Sequence, residues 1–286
     1  MDSQFRKNCS KSIITLLTDF GTDDEYVGIM KGVILSVNPF VNIIDISHHI
    51  APQDLSQAAY LIKSCYRYFP KHTVHVVVVD PGVGSDRSII ALKMKNHIFL
   101  APDNGVLRPL MDEGGIESII HVDNSSYFLK SVSRTFHGRD IFAPVAAHIS
   151  KGVEINKLGT PIDKKDLVNL SIQKPYISDK DEIIGTIISI DRFGNLITNI
   201  DLDSIKMLDK EDMGKRLEIR IGENKIIGLS LNYQSARPQS PLAIIGGRGY
   251  LEIAVNCGSA KQYFMAKKGD MIRVILANQH RQKRSI

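Results

Sequence analysis

The chain has 286 residues, 43% of them hydrophobic and 23% charged, with a formal net charge of +5. This composition supports a folded core for one large or two ordinary domains and excludes wholesale disorder; no apolar run approaches the roughly 20 residues of a membrane helix. The positive excess is largely terminal and lacks interleaved aromatics, so we expect neither nucleic acid nor membrane as a partner.

Residues 12–165 alternate strand-like and helix-like segments, which is typical of an α/β domain. The strands are predicted over 12–17, 41–46, 73–79, 88–94, 97–100 and 116–122. Three helices are predicted: one over 24–37, one marked by Ala58, Leu61, Ile62 and Cys65, and one over 140–150. Asp54 is placed to cap the second helix. The almost unbroken β-branched run at 73–79 predicts a central parallel strand, within a doubly wound, mostly parallel sheet with helices on both faces.

Residues 166–182 are polar and charged and are predicted to form a linker. Beyond them, residues 183–278 show the short alternating runs and glycine-rich turns of an all-β domain. Its strands are predicted over 183–190, 216–221, 241–245, 250–255 and 271–276. We expect a small barrel-like domain.

Three cysteines, Cys9, Cys65 and Cys257, are spread along the chain. An odd number at such distances indicates neither a disulfide framework nor a cysteine-rich zinc site. A reducing, cytoplasmic location fits this usage best. The pair His48-His49 has no third ligand at a suitable spacing, so no metal site is expected there either.

Two candidate sites follow strands of the first domain, where open α/β sheets bind ligands. Asp19 lies in residues 18–21 (TDFG), and its carboxylate could accept both hydroxyls of a ribose or only cap a turn. Asp80 opens residues 80–87 (DPGVGSDR), which end with Arg87. That segment is either a ligand-binding turn or a structural ion pair, and it is neither a phosphate loop nor a dinucleotide fingerprint.

Two further candidates are residues 135–140 (TFHGRD) and residues 191–199 (DRFGNLITN). His137 is placed to act as a base or a hydrogen-bond relay, or only to begin a helix. Asp191, Phe193 and Asn195 could bind an amino acid's charged groups and seal the site, or could simply form a hairpin turn. The chain has no Gly-x-Ser-x-Gly elbow and no cysteine in an electropositive motif, so covalent nucleophilic catalysis is not indicated.

Taken together and in this order, these motifs resemble those of the S-adenosylmethionine (SAM) hydroxide adenosyltransferases, the relatives of the bacterial fluorinase and chlorinase. The similarity covers the chain from about Ser12 to about Leu276. It implies hydrolysis of SAM to adenosine and methionine by in-line attack of activated water on the ribose 5′ carbon. It also implies a homotrimer that binds SAM between the first domain of one subunit and the second domain of its neighbour.

The resemblance also implies roles for particular residues. The hydrolytic members use an Asp–Arg–His triad that matches Asp80, Arg87 and His137, and Asp19 would hold the ribose diol. The remaining substrate contacts implied by the resemblance are Asp191, Phe193, Asn195, Gly247, Arg248, Glu252 and Val255. The family requires no metal and no cofactor, since SAM is the substrate.

This chain departs from the family at a few positions, which leaves alternatives open. Gly247 stands where members often carry Ser. The halogenating members have Tyr-Pro at Asp80-Pro81 and a halide-binding Ser at Gly138, which favours water over halide here. A halide transferase and a non-catalytic adenosine or SAM sensor remain alternatives. A methyltransferase is a third, although its glycine-rich first turn is absent.

Overall fold

A computed structural model of the chain describes residues 12–170, 172–208 and 217–276. It divides into two compact units, residues 1–171 and 172–286. Cys9, Arg216, the basic termini and residues 277–278 lie outside the described residues. The domain limits drawn from the sequence stay a prediction.

The first unit contains a seven-stranded sheet. Its strands are β1 Ile13–Thr18, β2 Asn42–Ser47, β3 Val74–Val78, β4 Ile89–Met94, β5 His97–Pro102, β6 Ile116–Val122 and β7 Gly159–Pro161. The α-helices described in this unit are α1 Tyr26–Val37, α2 Leu55–Cys65, α3 Arg108–Met111 and α4 Ala143–Ser150. The order is β2-β1-β3-β5-β4-β6-β7, with the first four strands parallel and the others antiparallel. The predicted α/β class is confirmed, and the sheet is mixed.

Helices cover both faces of this sheet because side chains of successive strand residues point to opposite sides. Ile14 and Leu16 of β1 belong to one core with residues of α1 and α4. The intervening Thr15 and Leu17 are also fully buried, and α2 packs against this strand. Every residue of β3 is buried, which confirms it as a central strand.

The predicted helices differ from the observed ones at two starts. The first of these is α1, which begins at Tyr26 and not at residue 24; the short helix α3 was not predicted. Asp54 caps α2, since its carboxylate accepts a hydrogen bond from Gln57 N at 2.9 Å. The segment predicted as a helix over 140–150 begins instead with a π-helical turn, Gly138–Phe142, and α4 follows it. Pro144 has no N–H to donate to the Asp140 carbonyl, which accepts from Leu129 N at 2.9 Å instead. Such π-turns are frequent at functional sites.

The second unit is an antiparallel sheet. Its strands are β8 Tyr176–Ile177, β9 Ile183–Ile190, β10 Leu196–Asp201, β11 Leu217–Ile221, β12 Asn224–Ile227, β13 Pro241–Ile245, β14 Tyr250–Val255 and β15 Met271–Leu276. The α-helices described here are α5 Leu202–Leu208 and α6 Ala260–Phe264. The order is β12-β11-β15-β9-β10-β14-β13, and β12 also contacts β13, so the sheet nearly closes into the predicted barrel. Sequence reasoning missed β10, β12 and both of these helices, together with β8, which lies within the predicted linker, and β7 of the first unit.

Among the helices that the structure describes, none has the length and hydropathy needed to cross a bilayer.

A buried polar chain lies beside the core of the first unit. Thr15 Oγ1 is 2.8 Å from His75 Nδ1, and His75 Nε2 is 3.2 Å from His97 Nδ1. Burial lowers the pKa of His75 to about 3, with a smaller contribution from His97. Since the ordinary value is 6.5, the unfolded chain binds this proton more readily between pH 6.5 and about 3. The contribution to stability is complete above that window and is lost as the pH falls through it.

We predict that His75→Asn weakens the acid sensitivity of the fold. Asn keeps an acceptor for Thr15 but does not titrate, so the loss of unfolding free energy between pH 7.5 and pH 4.5 shrinks by about 3 kcal/mol. Urea unfolding at both pH values measures this difference. His121→Asn, which removes a half-exposed imidazole instead of a buried one, is the control. Equal pH dependence in His75→Asn and the unmodified protein would show that His75 does not set it.

Candidate active site

One cavity of the first unit lies at the carboxyl edge of the sheet. Asp19 follows β1 and Asp80 lies just beyond β3; because these strands are parallel neighbours, their ends meet at one edge. The cavity has a volume of about 390 Å³ and is lined by Asp19, Phe20, Tyr26, Gln53, Val78, Asp80, Pro81, Val83, Thr135, Phe136, His137 and Gly138. This volume lies in the range of pockets for small ligands.

Asp80, Arg87 and His137 are in direct contact. Arg87 Nε lies 2.9 Å from each carboxylate oxygen of Asp80, and one terminal nitrogen of Arg87 also donates to this carboxylate. The same terminal nitrogen lies 2.9 Å from His137 Nδ1. Their side chains are nearly buried, at 5% exposure for Asp80 and 11% for Arg87. The guanidinium therefore joins a carboxylate and an imidazole that both line the cavity.

The contact with Arg87 determines how His137 is protonated. A guanidinium has only donors, so Nδ1 of His137 must accept, and its proton lies on Nε2. Burial lowers the pKa of His137, and the charge of Arg87 lowers it further; Asp80, Asp140 and the Ser133 carbonyl oppose this shift without reversing it. His137 is thus a neutral imidazole that offers one N–H donor.

A buried carboxylate holds the segment before His137. Asp140 is fully buried and accepts from Ser133 N at 2.8 Å and from Arg139 Nε at 2.6 Å. Burial alone would raise the pKa of Asp140, but the hydrogen bonds from Arg139 and Ser133 lower it. Ser133 Oγ in turn accepts from Phe136 N at 3.0 Å. These contacts fix the turn that presents His137.

The two loops of the triad touch at a glycine. Gly84 has φ +78°, in the left-handed region, and a Cβ there would lie 2.0 Å from the Arg134 carbonyl oxygen. The loop of residues 80–87 therefore approaches the segment before His137 closely enough to exclude any side chain at position 84.

Aromatic rings form one wall of the cavity. The ring centroids of Tyr26 and Phe136 are 5.1 Å apart, and Phe20 lies 5.7 Å from Tyr26. A Cβ on Gly138 would lie 3.1 Å from Met30 Sδ and 3.2 Å from Phe136, which is tighter than ordinary packing. This wall is apolar and leaves little room for a side chain at position 138.

Asp19 is anchored by a residue that sequence reasoning missed. Its Oδ2 accepts from Gln53 N at 2.8 Å, and Gln53 has φ +63°, which non-glycine residues rarely adopt. Within the described residues, Asp19 Oδ1 accepts no hydrogen bond. No sequence signal reveals Gln53, because its contribution is a backbone N–H.

A second cavity lies in the second unit and brings four of the predicted residues together. It has a volume of about 570 Å³ and is lined by Asp191, Phe193, Asn195, Tyr233, Val255, Asn256, Cys257 and Gly258. The carboxylate of Asp191 accepts from Phe193 N and Asn195 N, both at 2.9 Å, and from Asn195 Nδ2 at 3.1 Å. Asp191 therefore builds its own turn and holds Asn195, which is the hairpin interpretation.

The other predicted residues of this unit lie apart from the second cavity. Gly247 and Arg248 are exposed in the turn between β13 and β14 and do not line it. Glu252 is 8% exposed on β14 and accepts from Tyr233 Oη at 2.7 Å. That hydrogen bond, together with burial, raises the pKa of Tyr233 to about 12. Sequence reasoning missed Tyr233, which connects Glu252 to the cavity across 19 residues.

Within the described part of the chain, no three His, Cys, Asp or Glu side chains are grouped so that they could hold a metal ion.

Comparison with known families gives two matches. Residues 14–159 match the SAM hydroxide adenosyltransferase N-terminal domain, and residues 185–273 match the C-terminal domain of the same family.

Individual relatives match over nearly their whole length. A protein named (R)-S-adenosyl-L-methionine hydrolase from Methanocaldococcus jannaschii is 35% identical over 271 residues, covering 92% of this chain and 95% of that protein. A fluorinase from Actinoplanes is 27% identical and covers 93% and 98%. A crystal structure of an uncharacterized conserved protein from Thermotoga maritima, 37% identical, superposes with a TM-score of 0.85 over 92% of this chain and 99% of that chain.

We predict that Gly84→Ala destabilises the protein more than Gly114→Ala does. Both glycines have positive φ, but a Cβ on Gly114 meets nothing within 4 Å. The control therefore measures the conformational cost alone, about 1–2 kcal/mol. The clash with Arg134 adds about 1–3 kcal/mol to the free energy lost in Gly84→Ala. Denaturant unfolding compares them, and equal losses would contradict the close approach of the two loops.

Proposed function

This chain belongs to the SAM hydroxide adenosyltransferase family, and from that membership we propose that it hydrolyses SAM to adenosine and methionine. The observation that carries the proposal is the Asp80–Arg87–His137 network at the wall of the cavity of the first unit that also holds Asp19. The relatives named SAM hydrolases support the same reaction.

The proposed reaction is an in-line substitution at the 5′ carbon of the ribose. A water oxygen forms a bond to this carbon while the carbon–sulfur bond breaks. The bonding electron pair goes to sulfur, so that the sulfonium becomes the neutral thioether of methionine. The water gives up one proton. Because the sulfonium is already a good leaving group, no acid is needed to protonate it, and the site has only to orient and activate the water.

The residues of the triad have different roles in orienting and activating the water. His137 donates its Nε2–H to the oxygen of the nucleophile and fixes its position; with Nδ1 occupied by Arg87, the imidazole is not the base. The Asp80 carboxylate borders the same cavity and is the acceptor for the departing proton. Positioning of this kind is worth up to about 7–11 kcal/mol, and a positioned base adds about 10²–10⁴-fold. The aromatic wall keeps other water away.

Asp19 holds the ribose in this proposal. Gln53 N anchors Oδ2 of its carboxylate, and Oδ1 is left for a ribose hydroxyl. The 5′ carbon would then face Asp80 and His137, which line the same cavity.

Hydrolysis is favoured over halide transfer by the residues around the nucleophile. The carboxylate of Asp80 repels an anion but accepts hydrogen bonds from water. At Gly138 the surrounding side chains of Met30, Phe136 and Phe20 leave little space for the serine of the halogenating relatives.

The proposal needs no metal and no organic cofactor, because SAM carries its own leaving group. The cytoplasmic location expected from the cysteine usage remains part of the proposal.

We further propose that the active form is a homotrimer, in which the second cavity of a neighbouring subunit completes each site. Asn195, held by Asp191, would bind the methionine end, with Phe193 above it; Val255 would line the adenine pocket, and Gly247, Arg248 and Glu252 would contribute further contacts. Native mass spectrometry and sedimentation are expected to give three copies of the 31.8 kDa chain. A monomer that turns over SAM at full rate would contradict this assembly.

The reaction is tested by hydrolysis in H₂¹⁸O. Adenosine and methionine should form at equal rates, with one ¹⁸O in the adenosine 5′-hydroxyl. Since the relatives' name specifies the (R) form, the two sulfonium epimers are assayed separately. His137→Asn keeps the acceptor for Arg87 but lacks Nε2–H, so we expect turnover to fall about 100-fold or more while binding of adenosine changes little.

Other products identify the alternatives. A 5′-halonucleoside formed with chloride or fluoride would replace the proposal by halide transfer. Tightly retained adenosine without single-turnover cleavage would replace it by a sensor. Full activity in His137→Asn would remove His137 from the mechanism.

A further inference from the structure

We propose that a buried Thr18–His48 pair is a positioning device for Asp19, a role that rests on the function proposed above. Thr18 is the last residue of β1 and directly precedes Asp19. It is fully buried, and His48 is 3% exposed. Neither residue lines the cavity. Their effect on the ribose-binding carboxylate is therefore indirect.

The hydroxyl of Thr18 links two partners. Its Oγ1 accepts from Phe20 N at 3.2 Å and lies 2.8 Å from His48 Nδ1. A hydroxyl has one proton and two lone pairs, so it can accept from Phe20 N and donate to Nδ1 at the same time, provided that the His48 proton lies on Nε2. The turn on both sides of Asp19 is thus fastened to one imidazole.

A break in strand pairing aims His48 at this turn. Leu16 pairs with Asp45, but Leu17 pairs with Ser47, so β2 contains one extra residue, Ile46. Such bulges bend a strand and redirect the side chains that follow, and they are frequent beside active sites. Here the redirected residue is His48.

The backbone near His48 adds two further anchors. The His48 carbonyl accepts from Gly21 N at 2.8 Å, and Gln53 N donates to Asp19 Oδ2 at 2.8 Å. Residues 48–53 therefore hold the turn before, at and after Asp19. With both flanks fixed, the carboxylate keeps one orientation before substrate binds, which lowers the ordering cost of binding.

The other side of the imidazole faces a charged pair. His48 Nε2 lies 3.1 Å from Asp45 Oδ1, but it is not aimed along a hydrogen bond, so the contact is mainly electrostatic. Lys31 Nζ donates to Asp45 Oδ2 at 2.6 Å. Burial opposes but does not prevent the lowering of the pKa of Asp45 by Lys31 and His48. The ionised Asp45 favours the tautomer with its proton on Nε2, which leaves Nδ1 to accept from Thr18.

The same strand supplies a matched control. Thr15 is also fully buried on β1, and its Oγ1 also lies 2.8 Å from the Nδ1 of a buried histidine, His75. Thr15 is away from the Asp19 turn. Thr18→Val and Thr15→Val therefore both remove a buried hydroxyl and its hydrogen bond to a histidine Nδ1, and Thr18→Val also removes the acceptor of Phe20 N.

Thr18→Val and Thr15→Val should differ in their effect on binding. Thr18→Val should raise the KM for SAM and the Kd for adenosine by roughly 5–10-fold, with a smaller change in kcat, as expected for one lost hydrogen bond that positions a ligand group. Thr15→Val should leave both constants unchanged. Thr18→Ser and His48→Asn, which keep the hydrogen bond, should restore most of the affinity, and His48→Leu should not.

Hydrogen exchange gives a readout that does not depend on catalysis. The amides of Phe20 and Gly21 should exchange faster in Thr18→Val than in Thr15→Val. Equal exchange and equal binding in the two variants would overturn the positioning role. Failure of the unmodified protein to cleave SAM would instead overturn the proposed function, while faster exchange in Thr18→Val would still support the positioning of Asp19.

Discussion

The candidate site depends on a nearly buried guanidinium that can only donate hydrogen bonds. Arg87 remains charged, so its surroundings must supply acceptors, and the fold supplies the Asp80 carboxylate and His137 Nδ1. Removal of either acceptor would leave part of a buried charge unpaired, at a cost of about 3–5 kcal/mol for a fully buried pair. Position and tautomer of the imidazole follow from this constraint. His137 therefore acts as a donor to the nucleophile in the proposed mechanism, and proton acceptance falls to Asp80.

The rest of the first unit determines where these side chains lie. Parallel pairing of β1 and β3 brings Asp19 and Asp80 to one edge of the sheet. The third component, His137, arrives from a distant segment, and Asp140 fixes the turn that carries it. Gly84 permits the close approach of the two loops. The two carboxylates that line the cavity, those of Asp19 and Asp80, are thus positioned by backbone geometry that is set away from the cavity.

Sequence reasoning identified what depends on local pattern. Hydrophobic periodicity predicted β9, β13, β14 and β15 with the observed ends, and the cap at Asp54, because these features are set by neighbouring residues. Residues 80–87 were open to two interpretations, and the ion pair is also the contact that the proposed mechanism uses. At Asp191 the two interpretations lead to a different outcome: its carboxylate accepts hydrogen bonds within its own turn, as the hairpin interpretation expects. Gln53 and Tyr233 could not be found, because one acts through its backbone and the other through a contact between distant segments.

The choice between water and halide follows from charge. A halide ion in this cavity would lie near Asp80, whose carboxylate shares one guanidinium with His137; the pair leaves no net positive charge for a second anion. Water can donate to the carboxylate and accept from His137 Nε2–H at the same time, so both polar groups are satisfied. In the proposed mechanism hydroxide forms only as the proton moves to Asp80, which places the negative charge on the nucleophile close to the moment of attack. In this proposal, the arrangement that disfavours halide is therefore also the one that activates water.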